Sequence, residues 1–188
     1  MATSSAPSSI RLPSWTPYWL VISALLMLMD CLFLVTRPHS FKGGRYHHYF
    51  TAYDTYTRYD PSYLNTTDSF VKAQNIISTA ELTLSLLAVP TYYLLSRPLA
   101  AYLVALVSAS ECSKTVLFFL YSWFDETAGV QYRLSDVSSW DGGYVAAYLL
   151  PALCWIIFPA WLMYDIGGQF IAAANAIGGG SSDKRKKQ

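Results

Sequence analysis

Charge is scarce in this chain. Asp, Glu, Lys and Arg make up 13% of its 188 residues, where soluble domains carry about 25%. That deficit, beside 53% hydrophobic and 16% aromatic residues, points to a membrane protein rather than a soluble core. There is no excess of either sign. The net charge of +1 suggests no nucleic-acid partner. Cysteine is equally sparse. Cys31, Cys112 and Cys154 all lie inside apolar runs, and none has C-x-x-C spacing. They read as small buried hydrophobes, so neither a disulfide framework nor a metal site is expected. No internal repeat is visible.

What the chain does have is long apolar runs. A bilayer core needs about 20 mostly apolar residues per helix. Four runs meet this, at roughly 16–36, 74–95, 99–123 and 144–166. The first is too long for a cleavable signal core, and only Arg11 precedes it. Spans two and three are joined by "SRPL" and read as an antiparallel hairpin, with Pro98 at a helix start. The expected fold class is therefore all-α: a polytopic membrane protein whose four transmembrane helices form a bundle around a membrane-embedded cavity. Three regions are expected: a disordered segment at 1–14, the membrane domain at 15–172 and a flexible basic tail at 173–188.

In the tail, Lys184 and Lys186 have the K-x-K-x-x spacing of a cytosolic retrieval signal for the endoplasmic reticulum. A solvated basic tail touching anionic lipid is the alternative. A cytosolic tail with four spans places the N-terminus in the cytosol too. The positive-inside rule does not decide, since six basic residues fall on each proposed side. Asn65-Thr66-Thr67 is a glycosylation acceptor and needs a lumenal loop one. Loop one is tyrosine-rich. Tyr46, Tyr49, Tyr53 and Tyr56 recur at spacings that place them on one helical face. This predicts a helix lying on the membrane surface or an aromatic face packed on the bundle.

The run "WLVISALLMLMDCLFLVT" holds a single charge, Asp30. Ionisable groups inside spans are costly and face a bundle interior or cavity. Glu81 lies in span two, and Glu111 and Lys114 in span three. Glu111 and Lys114 are three apart and are expected to pair, either as a structural polar seam or with a role in the chemistry. Asp30 and Glu81 have no such partner within their helices. Facing one dry cavity, they would share a proton. Such a pair can move protons on an apolar substrate or hold a cation, with aromatic help from Trp155, Trp161, Tyr148 and Phe158 in span four. Pro151 and Pro159 should bend that span. Asp165 reads as a boundary residue.

These residues resemble the emopamil-binding protein and sigma-2 receptor family, whose shared unit is the EXPERA domain. The resemblance covers roughly residues 16–170. "LMD" resembles the family's first-span aspartate motif, at Asp30. "RYDPSYL" resembles its loop-one Asp-Pro, at Asp60 and Pro61. "STAELTLSLLAVP" resembles its second-span Glu-Leu, and Pro90 stands nine residues after Glu81, as in the sterol-isomerase branch. "CWIIFPAWLMYD" resembles the fourth-span Trp-x-x-x-Pro followed by aspartate, at Trp155, Pro159 and Asp165. The isomerase branch shares the lysine-rich tail.

The resemblance implies a helical bundle with a cavity open to the membrane. One branch moves a sterol double bond by protonation, carbocation formation and proton removal; the other binds amines. Carried over, Asp30 and Glu81 form the acid pair, Asp60 braces the cavity mouth and Trp155 shields the cation. The isomerase branch has a histidine where this chain has Leu26, and the sterol isomerase has one more span. Glu111 and Lys114 have no named counterpart, so Glu111 is either a substitute proton donor or a structural residue.

The leading expectation is a sterol or polycyclic-terpenoid isomerase of the Δ8–Δ7 type, or a related terpenoid cyclase, acting without a cofactor in the endoplasmic reticulum membrane. Its catalytic residues would be Asp30, Glu81 and Glu111, and its ligand-binding residues Asp30, Asp60, Glu81 and Trp155. The alternative is a non-catalytic receptor for sterols or cationic amines. A purely structural membrane partner ranks last, because it leaves two buried carboxylates without a purpose. Expected partners are the sterol or terpenoid, cationic amines, membrane lipid and a second copy of the chain.

Overall fold

The computed structural model describes residues 10–124 and 131–185, with backbone alone for 177–185. Every described secondary-structure element is helical. The long elements are α1 (Thr16–Val35), α3 (Ser69–Leu94), α4 (Arg97–Phe124) and α6 (Leu150–Arg185). Between α1 and α3 lie a 3-10 turn (His47–Tyr49), the short α2 (Tyr53–Tyr59) and a second 3-10 turn (Pro61–Leu64). Before α6 come a third 3-10 turn (Val137–Ser139), the single-turn α5 (Gly142–Tyr144) and one π-helical turn (Val145–Leu149).

Three of these helical stretches are long and apolar enough to cross a membrane: Thr16–Val35, Arg97–Phe124 and Gly142–Ala176. At 1.5 Å per residue, α3 is about 39 Å long and also exceeds a hydrocarbon core of about 30 Å. Its polar stripe is what keeps it out of that group. Ser78, Glu81 and Ser85 are all buried along it, with Ala88 and Thr91 continuing the stripe.

Each helix is shaped by its own residues. Pro17 occupies the first turn of α1, where its missing N–H leaves no extra orphan donor. Asp68 caps α3 by accepting from the Val71 N–H at 2.9 Å. Thr79, Thr83 and Thr91 fold their hydroxyls back onto carbonyls one turn earlier, which hides three donors inside the helix. On α4 the inward stripe is Ala100, Ala101, Val104, Val107, Ser108 and Glu111. Its small residues let neighbours approach closely.

The packing order follows the stripes: α1 on α3, α3 on α4, α4 on α6. Aromatic contacts then bring α6 back to α1, with Trp19 ring centroids 4.8 Å from Phe158 and 5.6 Å from Trp155. The opposite faces are apolar and exposed, for example Leu25 on α1, Leu86 on α3, Leu117 on α4 and Ile157 on α6. Apolar surface of that extent suits a lipid environment.

Two expectations about the flanks need correction. Residues 10–14 are ordered. Ile10 is buried in the core, and Arg11 and Gln169 exchange two hydrogen bonds at 2.8 and 2.7 Å. Residues 1–9 lie outside the described residues. At the other end, the helical backbone runs unbroken across 172–173 and on to Arg185, so the expected linker is not a break in secondary structure. The Lys184 side chain and all of Lys186 lie outside what is described. Asp165 accepts from Gln169 at 2.9 Å, the same residue that Arg11 meets.

In loop one the aromatic face packs on the bundle, the second of its two expected forms, but not as one helix. The tyrosine periodicity is real, but the helix it predicts is broken at Phe50. That ring is buried with Phe33, Leu34 and Val71, and the backbone turns to seat it. Tyr49 points outward at 66% exposure, while Tyr53 and Tyr56 face inward. Arg37 holds the loop by donating to the carbonyls of Leu34, Tyr63 and Asn65 at 3.0–3.1 Å. The loop is thus a folded cap over the helix ends.

Candidate functional site

Under this cap lies a cavity of about 380 Å³. That is within the range of small-molecule sites, roughly 300–1,000 Å³. Every long helix contributes to its wall. From α1 come Leu26, Met27 and Asp30; from the cap Ala52, Tyr53, Tyr56 and Tyr63. Phe70, Val71, Gln74 and Ser78 come from α3, and Lys114, Thr115 and Phe118 from α4. Tyr148, on the π-turn, and Pro151, Ala152 and Trp155, on α6, complete it. Most of this wall is apolar or aromatic.

Among the described residues, Asp30 is the one carboxylate in that wall. Its two oxygens accept separately, from the Tyr53 hydroxyl at 3.3 Å and the Tyr63 hydroxyl at 3.1 Å. Burial, reinforced by Asp30, pushes both phenols above their ordinary range, so they remain donors. Tyr53 is fixed by stacking on Phe33, with centroids 4.1 Å apart. The cap therefore holds the acid in place, and Phe33, three residues beyond Asp30 on the same helix, supports the cap.

Glu81 is not opposite Asp30. It is 1% exposed and lies behind the wall, where it accepts from Ser110 at 2.7 Å and forms an ion pair with Lys114. The expected pairing of Glu111 with Lys114 is thus replaced by a pairing between helices. The reason is geometric. Ser78 and Glu81 both face α4, and Lys114 reaches both, donating to Ser78 at 2.7 Å. The picture of two carboxylates sharing a proton across the cavity does not hold, because a cation stands in front of one of them.

Glu111 is fully buried, and neither carboxylate oxygen has a hydrogen-bond partner within 3.5 Å. Trp19 and Ser23 of α1 lie beside it, and Glu81 is its charged neighbour across the α3–α4 contact. It does not reach the cavity wall.

Asp60 sits one ring behind the cavity. It caps the turn at Pro61, accepting from the Ser62 N–H at 3.2 Å and from the Ser62 hydroxyl. Tyr56 donates to its other oxygen at 3.5 Å. Burial raises its carboxyl to about 6, against the opposing pull of the Ser62 bonds. Trp155 lines the cavity as expected, and so does Tyr148, whose hydroxyl shares a hydrogen bond with Ser122 at 3.1 Å. Trp161 and Phe158 do not. They meet Trp15 and Trp19 in tilted and edge-on contacts at the N-terminal end of α1.

Of the expected site residues, then, Asp30 and Trp155 meet in one cavity. Asp60 supports it through Tyr56, Glu81 supports it through Lys114, and Glu111 is sealed off. The residues missed by sequence reasoning are Tyr63, Ser78 and the inward role of Lys114. The signal for the last two was present: Ser78 is one turn before Glu81, so a lysine reaching one reaches both.

Comparison with known proteins leaves the chain without an assigned relative: no family model, no curated protein and no solved structure matches it.

Proposed function

We propose that this chain is a four-span membrane protein of the endoplasmic reticulum that binds a sterol or polycyclic terpenoid and shifts its double bond through a carbocation. The observation that carries this reading is Asp30. It is a carboxylate oriented by two tyrosine hydroxyls inside an aromatic cavity of about 380 Å³. A positive charge developing nearby is stabilised by the carboxylate and by the ring faces of Tyr56, Tyr148 and Trp155. In this scheme α3 is the fourth span, its polar stripe turned inward and its charge neutralised by Lys114. Asp30, entering with its proton, would deliver it to the alkene carbon and, as the carboxylate, take the proton lost from the neighbouring carbon, while Glu111, sealed behind the ion pair, is structural.

The second reading is a receptor for sterols or cationic amines. Two observations favour it. Leu26 lines the cavity where a histidine relay would be needed, and the ion pair removes Glu81 from direct contact with a ligand. The deciding experiment is incubation of purified protein with candidate sterols in deuterated water. Deuterium in a rearranged product supports the isomerase. Saturable binding with no exchange supports the receptor, and neither binding nor exchange defeats both.

A further inference from the structure

Lys114 has a capacity that the roles given so far leave unused. An ammonium offers three N–H donors. Two are engaged within the protein, by Ser78 and Glu81. The side chain nevertheless forms part of the cavity wall and keeps 13% exposure, against 1% for its partner Glu81. Asp30 lines the same cavity, so donor and carboxylate face one space. The α4 backbone is pinned at this point, since Gln74 donates its amide N–H to the Lys114 carbonyl at 3.3 Å.

We infer that the third donor of Lys114 binds an oxygen atom of the ligand, and that this site selects oxygenated polycycles, alcohols or ketones, over hydrocarbons of the same shape. The inference rests on the sterol or terpenoid reading and gives it a polar anchor. A charged donor in a water-poor cavity loses its hydration on binding, and only a ligand acceptor replaces it. A hydrocarbon leaves it unpaired. A site built to hydrogen-bond a ligand oxygen rejects the analogue lacking one more strongly than an apolar pocket can discriminate by shape. The anchor also fixes orientation, because the ligand's oxygen lies at the α3–α4 wall and its rings against Tyr56, Tyr148 and Trp155.

The test uses dehydroergosterol, a fluorescent sterol with one hydroxyl, and its deoxy analogue. Binding to the full-length protein in nanodiscs is followed by energy transfer from tryptophan. The wild-type protein should prefer the alcohol by about tenfold to a hundredfold. Lys114→Met alone leaves Glu81 unpaired and can unfold the protein, so the decisive variant is Glu81→Gln with Lys114→Met, which removes both charges. In that variant the preference should fall to near unity while the deoxy analogue binds as before. Equal binding of both sterols to the wild type, or an undiminished preference in the double variant, overturns the anchor and leaves the ligand class standing. Failure of both sterols to bind the wild type overturns the anchor together with the polycyclic-ligand reading.

Discussion

Asp30 and Asp60 belong to one aromatic shell but answer to different surroundings. Asp30 faces a cavity, and its environment is completed by whatever enters. Asp30→Asn keeps the shape but removes the charge, and its amide N–H meets one of the two tyrosines only if that hydroxyl turns to accept. Loss of a desolvated ionic partner costs about 3–5 kcal/mol, so affinity for a cationic amine should fall by about two to three orders of magnitude. Unchanged amine binding in a titration of this variant would remove Asp30 from the site. Asp60 serves the cap. Its folded-state pKa of about 6 lies above the ordinary value of 3.8, so the folded protein takes up its proton more readily than the unfolded chain. The contribution is complete below about pH 4 and is lost as pH rises through about 6, amounting to about 3 kcal/mol at most. The unfolding midpoint in detergent should therefore decline across that window. Asp60→Asn should flatten the decline and raise the midpoint at neutral pH. At this scale the sequence was informative about which residues are unusual, since a carboxylate in an apolar run is conspicuous. It was silent about partners, because Tyr63 and Asp30 meet only when loop one folds back over α1.

Among the helices, α3 and α4 carry the polar interior and α1 and α6 enclose it. The contact between α3 and α4 combines small residues with one ion pair. Ala101 is fully buried on α4, so Ala101→Leu should overpack the stripe and destabilise by about 1–3 kcal/mol, read as a lower thermal midpoint. Separating the ion pair is worse. Lys114→Met alone should cost about 3–5 kcal/mol, whereas combination with Glu81→Gln should recover most of that loss. If the double variant is no more stable than the single one, the pair has no such role. Gly143 marks a close approach of another kind, because a Cβ there would run into the Tyr59 hydroxyl; the single-turn α5 leans directly on α2. Two helices had legible limits. The expected 16–36 and 99–123 match Thr16–Val35 and Arg97–Phe124, because length and apolarity define a span. The expected 74–95 starts five residues inside α3, and 144–166 stops well before α6 ends, because polar turns of helix continue past the apolar run. Loop one was not legible, since Phe50 belongs to the tyrosine pattern by spacing and to the core by packing. Periodicity has no means of ranking the two. The Lys114 partner was obscured for a similar reason. Glu111 was close in sequence, but the α3 carboxylate was close in space.

Across the whole molecule, first and last helices meet through Trp19, Trp155 and Phe158, so the cavity is complete only when all long helices are in place. The proposed topology puts both chain ends in the cytosol. Protease added to sealed microsomes should remove a C-terminal tag, and a protected tag would overturn the four-span arrangement. The α3–α4 connection has a consequence for biosynthesis. Only Leu95 and Ser96 separate these helices, too few for the ribosome to deliver them as independent insertions. A lysine or acidic residue at a helix centre costs about 2.5–3.5 kcal/mol on translocon scales. If Lys114 and Glu81 enter the bilayer already in contact, the pair is delivered as an electrically neutral unit, and the lysine charge that would hinder α4 is cancelled by the glutamate of α3. Lys114 would then have been an escort during synthesis before it became part of a binding wall.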